Sequence, residues 1–365
     1  MLATPTASNA PPPEIVRRFV FERATFAQCH AATLAFAGDT GVAAWFGGTR
    51  EGASDVDIWS ARFQHGRWSE PERVATGQGH DGRPWPCWNP VLHADGAGGL
   101  ELFYKVGPSP RRWWGMHTRS HDGGRTWQAP TRLPQGFLGP VKNKPLALDD
   151  GRLLCGSSRE GVGWRIHLEW LPRRRAPLFG PRSIDTAPGE RPEPDGNLAG
   201  AERWEQSGPL NRGLWLRAIQ PALLRHGDGR LQLLCRTRSG RVAESWSSDG
   251  GRHWERLRLT SLPDAASGLD AVTLRDGRHL LVYNHSRRGR SPLNVAISED
   301  GRSWSAAAVI EEGHGEYSYP AVVEGPDGRV HVLYTWRRER IRHAELDVEG
   351  LEPRPIESGR WPAPL

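Results

Sequence analysis

SHDGGRTW at residues 120–127 and SSDGGRHW at 247–254 share one form, S-x-D-x-G-x-x-W, and a shorter version, SEDGRSW, lies at 298–304. Strand-like runs lead into them: WWGMHTR, RVAESW and LNVAI. Ser and Asp side chains hydrogen-bond nearby backbone and Gly supplies the left-handed positions, so each motif reads as a tight turn. The Trp that follows packs on the hairpin the turn closes. Such a motif, repeated in one chain, marks a repeated β-hairpin and carries no chemistry of its own.

A second repeat lies upstream of each turn. QCHAATLAF (28–36), CWNPVLHA (87–94), KNKPLALD (142–149), IQPALLRH (219–226), GLDAVTLR (268–275) and YSYPAVVE (317–324) each pass from a polar residue through Pro or Ala into an apolar run. The polar residues are His30, Asn89, Lys144, Gln220, Asp270 and Tyr319. Most are spaced roughly 50 to 60 residues apart, the period of propeller blades. A second strand follows each, as in GVAAWFGG, LELFYK and GRLQLLCR, then a third, as in DVDIWSARF and WRIHLEW. Helical periodicity is nearly absent. The expected fold is an all-β, six-bladed β-propeller over residues 14–355, with a flexible arm at 1–13 and a tail at 356–365. A Pro-, Gly- and Arg-rich surface insertion is expected at 172–212. The early stretch EIVRRFVFE is expected to complete the last blade and remove an open edge.

Bulk composition narrows the function. The chain has 365 residues, 43 glycines and 30 prolines, 37% hydrophobic residues and a formal charge of +6. No apolar run is long enough for a transmembrane helix. The N-terminal MLATPTASNAPPPEI lacks a charged stretch followed by an apolar one, so a cytoplasmic location is expected. Cys29, Cys87, Cys155 and Cys235 fit no metal spacing and read as buried thiols. The arginines are scattered and accompany no nucleic-acid motif; a positive pocket for a small anion accounts for the charge. The expected partner is a small saccharide, with no nucleic acid, membrane, cofactor or metal.

Of the 48 Lys and Arg residues only Lys105, Lys142 and Lys144 are lysines. In a propeller, first strands begin and second strands end on the same face. That mouth should gather His30, Asn89, Lys144, Gln220, Asp270 and Tyr319, with Arg50, Glu51, Lys105, Glu160, Arg236, Arg238, Arg288 and Arg290 beside them. All three lysines then map to one mouth, where a compact ammonium with rotatable donors suits an anion or hydroxyl better than a planar fork. Trp85, Trp88, Trp113, Trp114, Trp164, Trp215 and Trp336 are expected on the same rim, some of them as sugar platforms.

At this point the chain resembles the Asp-box, or BNR-repeat, sialidase superfamily of six-bladed propellers over nearly its whole length. It is similar to sialidase-like proteins carrying WFGGTREG…D…IW and CWNPVL…LFYKVGPSP. The resemblance implies a retaining exo-glycosidase that grips a carboxylate with three arginines, uses a Tyr nucleophile activated by a Glu, and an Asp as acid/base. On that pattern Arg50 precedes the acid/base Asp55 by five residues, Arg238 and Arg290 are the second and third arginines (Arg288 lying close to the latter), and Tyr317 is the nucleophile. Two positions depart. Gln28 stands where the first arginine belongs, and Gln220 where the Glu belongs; an amide does not take the phenol proton. Both departures count against sialic acid as the substrate.

The residues themselves leave three chemistries. Glycoside hydrolysis needs two carboxyls across the sugar; Glu51, Asp55, Glu160, Asp270 and Glu316 supply candidates, with Asp55 and Glu51 or Asp270 as a pair. β-Elimination from a uronate, as in rhamnosyl-glucuronate lyases, would use His30 as base, Tyr317 or Tyr319 as acid, and Lys144, Arg238 and Arg290 to neutralise the carboxylate. A non-catalytic sugar-binding propeller would need only Trp88 and its neighbours with the arginines. Hydrolysis of short, anionic saccharides in an exo-acting pocket is the leading reading.

Overall fold

The computed structural model describes residues 15–78, 82–161, 163–171, 204–211 and 216–363. Most of the expected insertion, the N-terminal arm and Trp215 lie outside these residues. Six antiparallel sheets form a closed ring, and the described residues contain no helix. Blade 1 runs through Gln28–Ala37, Thr40–Gly48 and Asp57–Gln64, with Arg67–Trp68 and Glu72–Ala75 both on its outer strand. Blade 2 uses Cys87–Ala94, Leu100–Val106, Trp114–Ser120 and Thr131–Arg132. Blade 3 uses Leu146–Ala147, Leu153–Glu160, Trp164–Leu171 and Glu205–Gln206; blade 4 uses Ala218–Arg225, Leu231–Thr237, Arg241–Ser247 and Arg258–Pro263. Blade 5 comprises Asp270–Thr273, His279–Tyr283, Leu293–Ser298 and Ser305–Glu311, and Arg354–Pro355 pairs outside it. Blade 6 is Tyr317–Glu324, Val330–Trp336 and Arg340–Leu346; Val16–Phe19 forms its outer strand, Val16 facing Glu345 and Phe19 facing Arg342. The sequence expectation that EIVRRFVFE closes the ring therefore holds.

Apolar layers between neighbouring blades are the core. One joins blades 5 and 6 through Val282, Val295, Val332 and Tyr334; another joins blades 1 and 2 through Val42, Ile58, Leu102 and Tyr104. Packing of this kind suits a chain whose hydrophobic residues alternate along many short strands.

The Asp-motif turns close the third strand of blades 2, 4 and 5, at the end opposite the mouth. Ser120 Oγ accepts from Gly124 N at 2.8 Å, while Asp122 Oδ1 accepts from Arg125 N and Thr126 N at 3.0 and 2.9 Å. Ser247 and Asp249 repeat this toward Gly251 and His253, and Ser298 and Asp300 toward Gly301 and Ser303. Gly124, Gly251 and Gly301 have φ of 80°, 90° and 69°, the region an L side chain enters at a cost.

Four first strands share one irregularity. Register shifts fall between His30 and Thr33, Trp88 and Val91, Ile219 and Ala222, and Ser318 and Ala321. Within them Ala31, Asn89, Gln220 and Tyr319 take φ of 56°, 40°, 56° and 54°. Three are followed by Pro90, Pro221 and Pro320, which have no N–H to donate and so fit where the ladder is broken. The freed N–H groups are caught by the neighbouring blade: Ala31 N by Thr335 Oγ1 at 3.2 Å, Gln220 N by Ser158 Oγ at 3.2 Å. In blade 3 the equivalent left-handed residue is Lys142, with φ of 76°. The sequence repeat is thus corrected in three blades: His30 is one residue early, Lys144 two residues late, and Asp270 is no bulge residue.

Blade 3 begins with the irregular segment 138–145, and Glu169 anchors it. This fully buried carboxylate accepts from Leu138 N at 3.1 Å, Gly139 N at 2.7 Å and His167 Nε2 at 2.8 Å. Glu169→Ala leaves buried amide donors unpaired, and a loss of roughly 3 kcal/mol of folding stability is expected, read from the urea midpoint at unchanged m-value.

Candidate active site at the propeller axis

Tyr319 stands at the centre of the mouth. Its bulge turns the ring to the axis, 4.1 Å from the His30 ring centroid to centroid. Arg236 Cζ lies 5.2 Å from the ring centre, Arg290 Cζ 5.4 Å, and Lys142 Nζ 6.0 Å. Such approaches are cation–π distances. Gly268 lets blade 5 come close: a Cβ there would sit 3.0 Å from Tyr319 and 3.2 Å from Lys142.

Around this centre runs an ion-pair chain. Arg290 Nη1 meets Glu316 Oε1 at 2.6 Å, Arg338 Nε meets the same oxygen at 2.9 Å, and Ser318 Oγ donates to it at 2.9 Å. Arg338 also pairs with Glu51. On the far side two guanidiniums approach the Trp164 ring, Arg236 at 4.9 Å and Arg238 at 4.4 Å. Arg236 Nη1 donates to Ala266 O at 3.0 Å, and its Nε is buried without a partner.

The charges sort the acids. Burial raises the Glu160 carboxyl, and the negative charge of Glu51 adds to this against the pull of Arg236, Arg238 and Arg111. Burial would raise Glu316 too, but Arg290, Arg338 and the Ser318 hydroxyl outweigh it and hold it low. His30, only 2% exposed, is kept neutral by burial and then by Arg338, Arg290, Arg236 and Lys142. Its Nδ1 lies 2.8 Å from Thr335 Oγ1, while Nε2 has no partner. Gln220 Oε1, Ser157 Oγ and Ser267 Oγ are likewise buried and unpaired. Unpaired buried polar atoms are rare in folded proteins and call for an explanation; a polar ligand is one.

Several expected site residues are placed otherwise. Lys105 is fully buried and donates to Pro140 O; burial pushes its ammonium down to about 7. Lys144 Nζ is spent on Asp270 Oδ2 at 2.9 Å and Ala271 O at 2.8 Å, and Asp270 also accepts Val322 N at 2.9 Å. Both lysines and Asp270 stitch segments together through these bonds. Tyr317 is 4% exposed and packs with Leu293, Val295 and Tyr334 between blades 5 and 6, away from Tyr319. Asp55 is exposed and caps its own loop: the Thr49 hydroxyl and Thr49 N, the latter at 3.0 Å, hold it below the usual carboxylate range. A carboxylate held ionised is a poor proton donor. Arg50 is exposed beside it. Trp88 is 6% exposed with Nε1 bonded to Gly107 O at 2.9 Å, a packing role. Asn89 holds the blade 2 bulge, and exposed Arg238 backs Trp164 while buried Arg236 faces the axis. Trp85 and Trp114 line a groove between blades 1 and 2.

Arg338 is absent from the sequence expectations. It stands across from Gln28, both lining one narrow crevice with His30 and Glu51. Its role depends on left-handed φ values at Arg337 and Arg338, 53° and 63°, which nothing in TWRRER announces.

Among the described residues His331, His343 and Glu345 could bring three ligand atoms within 4.8 Å of one another. They lie between blades 6 and 1, and their atoms are already engaged. Trp68 Nε1 meets His343 Nδ1 at 3.3 Å, His343 Nε2 meets His331 Nδ1 at 3.0 Å, and Arg18 pairs with Glu345. This network closes without an ion.

The family model for the BNR repeat-like domain matches residues 39–332. The anhydrosialidase of Macrobdella decora is 25% identical over 142 residues, which is 33% of this chain and 19% of that protein. A Dyadobacter fermentans protein of unknown function superposes with a TM-score of 0.68 at 16% identity, over 92% of this chain and 100% of its own. The NanB sialidase of Streptococcus pneumoniae gives 0.68 at 13% identity, over 92% and 71%. The intramolecular trans-sialidase of Ruminococcus gnavus gives 0.64 at 14%, over 88% and 94%. These structural likenesses establish a common fold.

Proposed function

The chain belongs to the BNR repeat-like family, and from that premise we propose that it is an exo-acting glycoside hydrolase for short anionic saccharides, working at the mouth around Tyr319. One observation carries the reading: Glu160, half-buried beside Trp164, is raised by burial and by the charge of Glu51, with Arg236, Arg238 and Arg111 near enough to oppose that rise. Acid/base hydrolysis requires one carboxyl that gives a proton and a second that takes one. Arg236, Arg290 and Arg338 hold the substrate's anionic group, and Tyr319 lies under the sugar ring. Glu160 gives its proton to the departing oxygen. Glu51, held by Arg338, takes a proton from the water that adds at the anomeric carbon. Direct attack by water fits a site in which Tyr317 is packed away and Gln220 replaces a carboxylate.

The test is a product assay on uronate and sialate glycosides. Release of a saturated acidic sugar, lost on Arg290→Gln, is expected; binding without turnover across such a panel would make the protein a lectin and defeat the proposal. His30 favours a second reading. Its Nε2 has no partner and its ring lies 4.1 Å from that of Tyr319, which supports His30 as the base and Tyr319 as the acid of a β-elimination from a uronate. Ultraviolet absorbance from an unsaturated uronate, abolished in His30→Asn, would select that reaction.

A further inference from the structure

Between the outer strands of blades 1 and 2 runs a groove of about 880 Å³, which shares no lining residue with the ring around Tyr319. That volume is in the range of small-molecule sites. Trp85 and Trp114 are half-buried along its walls, with Met116 and aliphatic side chains between them. Arg132 lies across the Trp114 face, Cζ 4.8 Å from the ring centre. Arg73 stands on the opposite wall, already paired with Asp57 at 3.3 Å. The lining holds no Asp or Glu. On the floor is Tyr104, 0% exposed, whose hydroxyl has no partner.

We propose that this groove is a second saccharide site, separate from the axial mouth, for an oligosaccharide segment bearing a carboxylate. Flat indole faces with a polar rim match a sugar ring, which shows C–H groups on its faces and hydroxyls at its edge. The Tyr104 hydroxyl is a buried donor left for a sugar oxygen, since burial keeps the phenol protonated. Arg132, with no carboxylate among its groove neighbours, selects an acid over a neutral ring. The site would hold a substrate's remote end, or a polymer, while the mouth acts independently.

The experiment uses the full chain carrying Arg236→Ala and Arg290→Ala, which silences the mouth. The probes are a glucuronate-containing tetrasaccharide and a neutral glucose tetrasaccharide, followed by tryptophan fluorescence and calorimetry. Saturable binding of the acidic probe is expected. Trp114→Ala should weaken it about tenfold. Tyr104→Phe should weaken it about fivefold without lowering the melting temperature, because the hydroxyl it removes makes no internal bond. Arg132→Gln should erase the preference for the acidic probe. Absence of saturable binding, or binding that survives Trp114→Ala, overturns the site; equal affinity for the neutral probe in the unsubstituted groove overturns the assignment of an acidic ligand. None of these results depends on whether the mouth hydrolyses anything.

Discussion

Glu160→Gln is expected to lower kcat by about 10²- to 10⁴-fold, the usual worth of a positioned general acid, with KM changed far less. The amide keeps the shape and loses the proton. The pH profile supplies the sharper signature. A proton donor must be protonated in the free site, so wild-type activity falls as pH rises through the Glu160 value, which burial has moved upward. In Glu160→Gln that alkaline limb disappears while the acid limb remains. Substrates with a good leaving group, which need little protonation, should recover much of the lost rate. A merely structural Glu160 would lower the rate for all leaving groups alike and keep the limb; that result would remove it from the mechanism.

The largest stability effect is expected at Lys142. Its ammonium reaches Asn143 Oδ1 at 2.8 Å, Leu269 O at 2.7 Å and Pro320 O, so one side chain ties blade 3 to blades 5 and 6 across the axis. Lys142→Ala removes a long buried side chain and strands three acceptors; a loss of about 4 kcal/mol or more is expected in chemical denaturation. Lys142→Met keeps most of the volume and should cost roughly half as much. Burial lowers the Lys142 ammonium from 10.5 to about 7. Between these values the unfolded chain binds a proton that the folded chain does not. Wild-type stability should therefore fall as pH drops from 10.5 toward 7 and level off below it, with Lys105 adding in the same direction. In Lys142→Met that slope should be shallower. An unchanged slope would mean that Lys142 remains charged in the fold.

These two residues show how far the sequence could be read. Turn motifs and the repeat disclosed six blades and their closure, because such signals are local and periodic. The three lysines stood out in the sequence, but an anion or hydroxyl ligand was expected of them, and in the fold they bond protein oxygens. Two of the three Lys142 partners are main-chain oxygens of Leu269 and Pro320, far off in sequence, which no local pattern encodes. Tyr317 and Tyr319 are two apart and share a face in a regular strand; the bulge after Ser318 sends one between blades and the other to the axis. Arg236 and Arg238 pose the same problem on either side of Thr237, the last residue of its strand. Glu160 was visible as one acid among five, and only its enclosure by Trp164, Arg236 and Arg238 separates it from the others.

Val16–Phe19 pairs with a strand made some 320 residues later. During synthesis this segment waits, its backbone unmatched, until Arg340–Leu346 leaves the ribosome. The circle can then be sealed only after residues 340–346 have been made. Until then a nascent chain exposes one raw sheet border, and closure of blade 6 has to follow the making of its first three strands. A break in the chain at the Asp-motif turns, with the native ends tethered, would move that closure to another blade and should change the order in which the blades become protease-resistant.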